Sequence, residues 1–131
     1  MVRIKIMKKI SCILLMAIGL WSCFRQPEQN CSAFKTGKFK VEFDVKGQKH
    51  TTILERNDSI QMETYQGKTD TASVRWVGEC EYVVKNLHPH TMAEKKAYAI
   101  RILNTSKNSY TFEFGEVDSD VKQTGTVTKL N

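Results

Sequence analysis

The chain has 131 residues and no apolar run of the length that a membrane crossing demands. A transmembrane helix needs ~20 consecutive apolar residues; the longest stretch here, Ile10 to Trp21, has twelve, with only Ser11 polar. None of the four cysteines forms a C-x-x-C pair, which argues against a structural zinc site. Beyond the first 22 residues no segment keeps a helical period, and the best of them, Thr91 to Ala99, supports one turn at most. No Ser, His and Asp arrangement suggests itself, so catalysis is not expected.

A surplus of positive charge is also missing once the amino terminus is set aside. The whole chain carries twenty Lys and Arg against fourteen acids. Arg3, Lys5, Lys8 and Lys9 all precede the apolar run, and no acid falls within the first 22 residues. Without that segment 109 residues remain, with a net charge of +2, enough chain for one domain. The remaining charges alternate in sign, as in "GKFKVEFDVKGQK" and "ECEYVVK". This is the pattern of a solvated surface, and no nucleic-acid partner is expected.

What is present at the amino terminus is an address. A basic start followed by a short apolar run reads as a secretory signal peptide, residues 1–22, to be excluded from the fold. Its end, Leu20-Trp21-Ser22-Cys23, resembles the lipobox of bacterial lipoproteins, with Trp21 in place of the usual smaller residue. The resemblance implies that Cys23 receives a diacylglyceryl group, that the chain is cut before it, and that the new amino group is acylated. At ~0.8 kcal/mol per buried CH₂, several acyl chains hold a protein to a bilayer where one binds only marginally. The alternative is an ordinary signal peptide with a nearby cut. Phe24 stands where some lipoproteins carry an Asp that retains them in the inner membrane, so the expected location is the outer membrane, lipid-anchored and on the periplasmic side rather than the cell surface.

Cys12 leaves with the signal and Cys23 is taken by lipid, so Cys31 and Cys80 remain. In an oxidising compartment they are expected to form a disulfide, the alternative being two buried free thiols. Residues 23–36 hold Pro27 and several polar amides and read as a lipidated tether.

From Gly37 the hydrophobic period becomes two. "KFKVEFDVK" places Phe39, Val41, Phe43 and Val45 on one face and Lys40, Glu42 and Asp44 on the other, the signature of a strand with one buried side. Gly47 supplies a turn. "HTTILER" and "SIQMETY" flank Asn57-Asp58 as the arms of a hairpin. "TASVRWV" follows Gly67, and Gly78 before Cys80, Tyr82 and Val84 suggests a bulge or turn. After "NLHPHTMAE" come "KAYAIRILN", "YTFEF" and "VKQTGTVTKL". About eight short strands separated by turn signals argue an all-β antiparallel meander over residues 37–131. With no helix to cover it, such a sheet hides its apolar face by curling into a small lipocalin-like barrel or a strongly curved sheet; a two-sheet sandwich is the alternative.

Several motifs invite chemistry and carry little. "SAFK" and "KTG" match two signatures of penicillin-recognising enzymes, but here they share Lys35, whereas those enzymes set them on distant elements of a larger fold. "HPH", His88 to His90, has the ligand type for a metal but a proline between the two histidines and no third ligand, so a solvated loop is expected. "EFGEVDSD" gathers four acids without the spacing of a calcium loop. No metal or cofactor is expected. The aromatics are in phase with strand interiors: Phe39, Phe43, Trp76, Tyr82, Tyr98, Phe112 and Phe114 either fill the core or line a small cavity.

The order Cys31-x-x-Phe34-Lys35-Thr36-Gly37-x-Phe39, then Arg56-Asn57-Asp58-Ser59-x-Gln61-x-Glu63, then Trp76-x-x-x-Cys80-x-Tyr82, resembles a family of small uncharacterised lipoproteins of Gram-negative bacteria. Some members bear the label DNA topoisomerase IV. A type II topoisomerase needs a catalytic Tyr, a DNA gate and a metal module, which 109 exported residues do not hold. The resemblance implies the lipid anchor and the cysteine pair, and no catalytic residues. The expectation is therefore a membrane-anchored, periplasm-facing β module that binds a small apolar ligand or an envelope protein partner. The alternative is a structural or interaction lipoprotein whose barrel is filled.

Overall fold

In the computed structural model, residues 28–131 are described; the signal segment, the lipobox and Cys23 lie outside them. Eight antiparallel strands follow a short 3-10 turn, Cys31–Phe34: β1 Gly37–Val45, β2 Gln48–Arg56, β3 Ile60–Tyr65, β4 Lys68–Trp76, β5 Glu81–Asn86, β6 Ala97–Thr105, β7 Ser109–Glu116 and β8 Gln123–Lys129. Each strand pairs with the next, and β8 returns to β1, so the meander closes into a barrel. Closure removes every free sheet edge. Among the described residues no helix is long and apolar enough to cross a membrane.

The turns explain the registers. β1–β2 and β3–β4 are joined by two-residue loops, Lys46-Gly47 and Gln66-Gly67, with φ of 51° and 79° in both. Positive φ at both central residues gives the turn whose twist matches that of the strands it joins, and it sets Val45 opposite Gln48 and Tyr65 opposite Lys68. Between β2 and β3 the Asn57 side-chain oxygen accepts from the backbone N–H of Ser59 (3.0 Å) and Ile60 (2.9 Å). That local capture fixes the bend. The single turn expected near Thr91 to Ala99 is a 3-10 turn, Ala93–Lys95, in the long β5–β6 loop.

Closure itself is non-local, with Val41 of β1 opposite Val127 of β8. It is possible because both strands bury one face: Phe39 is 0 % exposed and Val127 2 %. Gly125 sits opposite Phe43, and the Phe112 ring lies where a side chain would be.

The two ends of the barrel differ. At one end lie the β2–β3, β4–β5 and β6–β7 loops, both chain ends of the described segment, and the Cys31–Phe34 turn. Although 31–36 reads from sequence as part of the tether, Cys31 and Phe34 are buried there. Phe34 packs edge-on against Tyr110, centroids 5.1 Å apart, and Cys31 is bonded to Cys80 just before β5, with Cα atoms 5.3 Å apart. This end is plugged. The opposite end carries the β1–β2, β3–β4, β5–β6 and β7–β8 loops, with no such plug among the described residues.

Candidate functional site

Beneath the plug the interior is polar at one point. Arg56, the last residue of β2, is buried at 4 % exposure. Its guanidinium donates to the Phe34 carbonyl (3.0 Å), the Gln61 Oε1 (3.3 Å), and the Tyr82 and Tyr110 hydroxyls (3.0 and 3.2 Å). The rings of Tyr82 and Phe39 face it at 4.6 and 5.0 Å. No carboxylate pairs with it among the described residues. Fixed dipoles and aromatic faces therefore hold the charge. Burial pushes the Tyr82 phenol well above its ordinary pKa, reinforced by Tyr110, so Tyr82 stays neutral. The cluster ties β2, β3, β5 and β7 to the plug.

Above this layer the packing stops short. A cavity of about 220 Å³ lies between the Arg56 layer and the open end, walled chiefly by Val41, Phe43, Leu54, Val84, Ile100 and Phe112. That volume is below the roughly 300 Å³ usual for drug-sized ligands and above the ~150 Å³ of an engineered cavity that binds benzene. It adjoins a second recess of about 320 Å³ at the rim, with Gln61, Glu63, Val84 and Tyr98 common to both. The rim recess adds Asp70, Asn86, Glu94 and Lys96.

Glu63 is the one carboxylate in the cavity wall. Strand register sets it directly opposite Asp70, on the same inner face. Burial holds its carboxyl above the usual range, and the Asp70 charge adds to the effect. The Thr52 hydroxyl and the Arg56 charge pull the other way and offset this only in part; the Thr52 hydroxyl donates to the Thr64 carbonyl at 2.8 Å. Lys96 is drawn aside by Glu116, 3.3 Å away. Glu94 accepts from the His90 backbone N–H at 2.6 Å.

Five of the aromatics singled out from sequence line the cavity: Phe43, Tyr82, Tyr98, Phe112 and Phe114. Phe39 and Trp76 do not. Phe39 is fully buried in the Arg56 layer, and Trp76 packs 4.6 Å from Tyr82 under the Lys35 ammonium, at the plugged end. Cys31 and Cys80 form the expected disulfide; Cys23 is outside the described residues. Of the motifs that invite chemistry, Ser32 hydrogen-bonds Asn30 on the surface while Lys35 covers Trp76. His88 and His90 lie in the exposed β5–β6 loop, and no group of three metal-ligating side chains occurs among the described residues. The acids of "EFGEVDSD" part company: Glu113 pairs with Arg101 at 3.1 Å and Glu116 with Lys96.

Sequence reasoning passed over Gln61, Glu63 and Asp70 as site residues. One signal was available. A two-residue turn at Gln66-Gly67 requires Glu63 and Asp70 to face each other across the hairpin.

The fold and the site together define a single class of object, an eight-stranded meander barrel sealed at one end and open, over an unfilled apolar cavity, at the other. Comparison of the chain with protein-family models, curated proteins and solved structures finds no match.

Proposed function

We propose that the protein is a lipid-anchored binding module of the outer membrane, facing the periplasm, whose barrel takes a small apolar ligand through its open end. The observation that carries this reading is the cavity: a barrel of this size can fill its interior with its own side chains, and here only the sealed half is filled. Four aromatic or branched walls of the open half, Phe43, Val84, Tyr98 and Phe114, are only partly buried.

The anchor supplies an orientation. The described chain begins at Glu28, whose carbonyl accepts from the Thr105 backbone N–H (2.7 Å) at the sealed end. Cys23 lies five residues earlier, a reach of roughly 17 Å when extended. A lipid on Cys23 therefore draws the sealed end toward the bilayer, and the mouth opens away from it. The ligand would be received from the aqueous side.

Two experiments test the reading. Cys23→Ser is expected to abolish palmitate labelling and membrane sedimentation; a variant that still labels and sediments refutes the anchor. Val84→Phe is expected to fill the cavity, retain folding, and eliminate the uptake of propylbenzene followed by NMR. Failure of the unmutated chain to take up propylbenzene at all would favour the filled-barrel interaction protein instead.

A further inference from the structure

The opposed carboxylates at the mouth make no sense as a stabilising feature of the barrel. Like charges directly opposite each other on one face of an antiparallel pair destabilise it, and Glu63 is half withdrawn from water besides. No side-chain cation forms an ion pair with either of them among the described residues, and the Arg56 charge in the layer below offsets the burial of Glu63 only in part. Lys96, the basic residue of the rim recess, is engaged by Glu116, and Arg56 is spent on four oxygens in the layer below. The Gln61 amide oxygen is taken by Arg56 as well.

We propose that the cavity takes a compact apolar amine, its hydrocarbon body against Val41, Leu54 and Phe112 and its ammonium between Glu63 and Asp70. This rests on the ligand-binding reading above and names the class of ligand. A primary ammonium carries three donors for carboxylate oxygens, and Phe43, Tyr98 and Phe114 in the cavity wall offer aromatic faces to which a cation is drawn. A hard metal ion is a poorer occupant. Calcium takes six to eight oxygens; here two carboxylates converge, and the third acid of the recess, Glu94, is already hydrogen-bonded to the backbone. The apolar wall beside the acids has no use for a bare ion, while a volume of about 220 Å³ accommodates one ring and a short chain.

The test uses the full chain at pH 7 and four probes: 2-phenylethylamine, propylbenzene, 3-phenylpropanoate and calcium chloride. The amine is expected to bind roughly tenfold or more tightly than propylbenzene, the gain of one charge-assisted contact, with 3-phenylpropanoate weakest. Glu63→Gln should erase the preference for the amine, bringing the ratio of amine to propylbenzene affinity to about one. Asp70→Asn, at an exposed position, should reduce the preference with no loss of stability. Equal affinity for amine and hydrocarbon, or an amine preference that survives Glu63→Gln, overturns the ligand class and leaves the apolar cavity reading standing. Calcium displacing the amine at equal concentration overturns it in favour of a metal site. Binding of none of the probes overturns both readings.

Discussion

Cys31→Ala and Cys80→Ala should each destabilise the barrel by about 2–4 kcal/mol, and the double mutant should lose no more than either one. The bond closes a sequence separation of 49 residues, for which the chain-entropy treatment gives about 4 kcal/mol. Residual structure in the denatured chain lowers this. Geometry does not, since Cα atoms 5.3 Å apart meet the ordinary spacing of a disulfide without moving the backbone. Nor does the plug leave with the bond: Phe34 remains packed on Tyr110 and bonded through its carbonyl to Arg56. The assay is urea unfolding at equilibrium, followed by the emission of Trp76, which lies 4.6 Å from Tyr82 at the sealed end. The cycle is diagnostic because either single mutation removes the same bond. Losses that add in the double mutant, or an unmutated chain equally stable with and without dithiothreitol, would refute the reasoning.

Arg56→Met should cost about 3 kcal/mol or more in the same assay, because it leaves the Phe34 carbonyl and Gln61 amide without their donor; Arg56→Lys should recover only part, and a loss under about 1 kcal/mol would contradict the role given to the cluster. Glu63→Gln should leave the thermal midpoint equal or higher at pH 7. The folded carboxyl is raised above 4.5 by burial and Asp70, so the native state binds the proton more readily than the unfolded one, and stability falls as pH climbs between 4.5 and the folded value. Asp70 on β4, Arg56 on β2, and Glu94 and Lys96 before β6 are the charged groups around it. A midpoint whose pH dependence is the same in the variant would exclude Glu63 as the source. Gly125→Ala should destabilise by about 1–3 kcal/mol, since its new methyl would meet the Phe112 ring and the Glu42 carbonyl, both 2.7 Å away; an unchanged midpoint would mean that Phe112 is free to turn aside.

The strands were legible because period two is local: Phe39, Val41 and Phe43 announce their face without reference to anything distant. The turns at Gly47 and Gly67 were legible for the same reason, though their two-residue length, which sets the register, was not. Closure was legible only as a necessity, because a meander without a helix must curl to hide its apolar face; the seam was not, since the pairing of Val41 with Val127 spans nearly the whole domain and leaves no mark within either strand. The polar interior was equally hidden. Inward faces are expected to be apolar, yet β2 and β3 turn Thr52, Arg56 and Gln61 inward, buried at 3, 4 and 6 % exposure. An arginine at a strand end before Asn-Asp reads as a solvated loop residue, and only the convergence of Tyr82, Tyr110 and Phe34 from distant parts of the chain makes it a core residue. Phe34 was missed because the tether around it is polar. The aromatics that line the cavity were found by phase, but phase gives a face and not a height along the barrel, which is why Phe39 and Trp76 separate from Phe43 and Tyr98.

Height along the barrel is the variable that connects stability to the proposed function. The sealed end gathers the disulfide, the plug, the Arg56 cluster and four of the most completely buried side chains, Phe34, Phe39, Ile102 and Tyr110. The open end holds an unfilled cavity and two opposed carboxylates, both of which cost free energy that a domain of this size has little surplus to cover. Concentrating the stabilising contacts at one end lets the other remain underpacked without unfolding, because each strand of the meander runs through both ends and is held at one of them. In the proposed orientation that held end is also the end nearest the lipid, so tension from the anchor falls on the disulfide and the plug. The walls that would contact a ligand are left free to adjust.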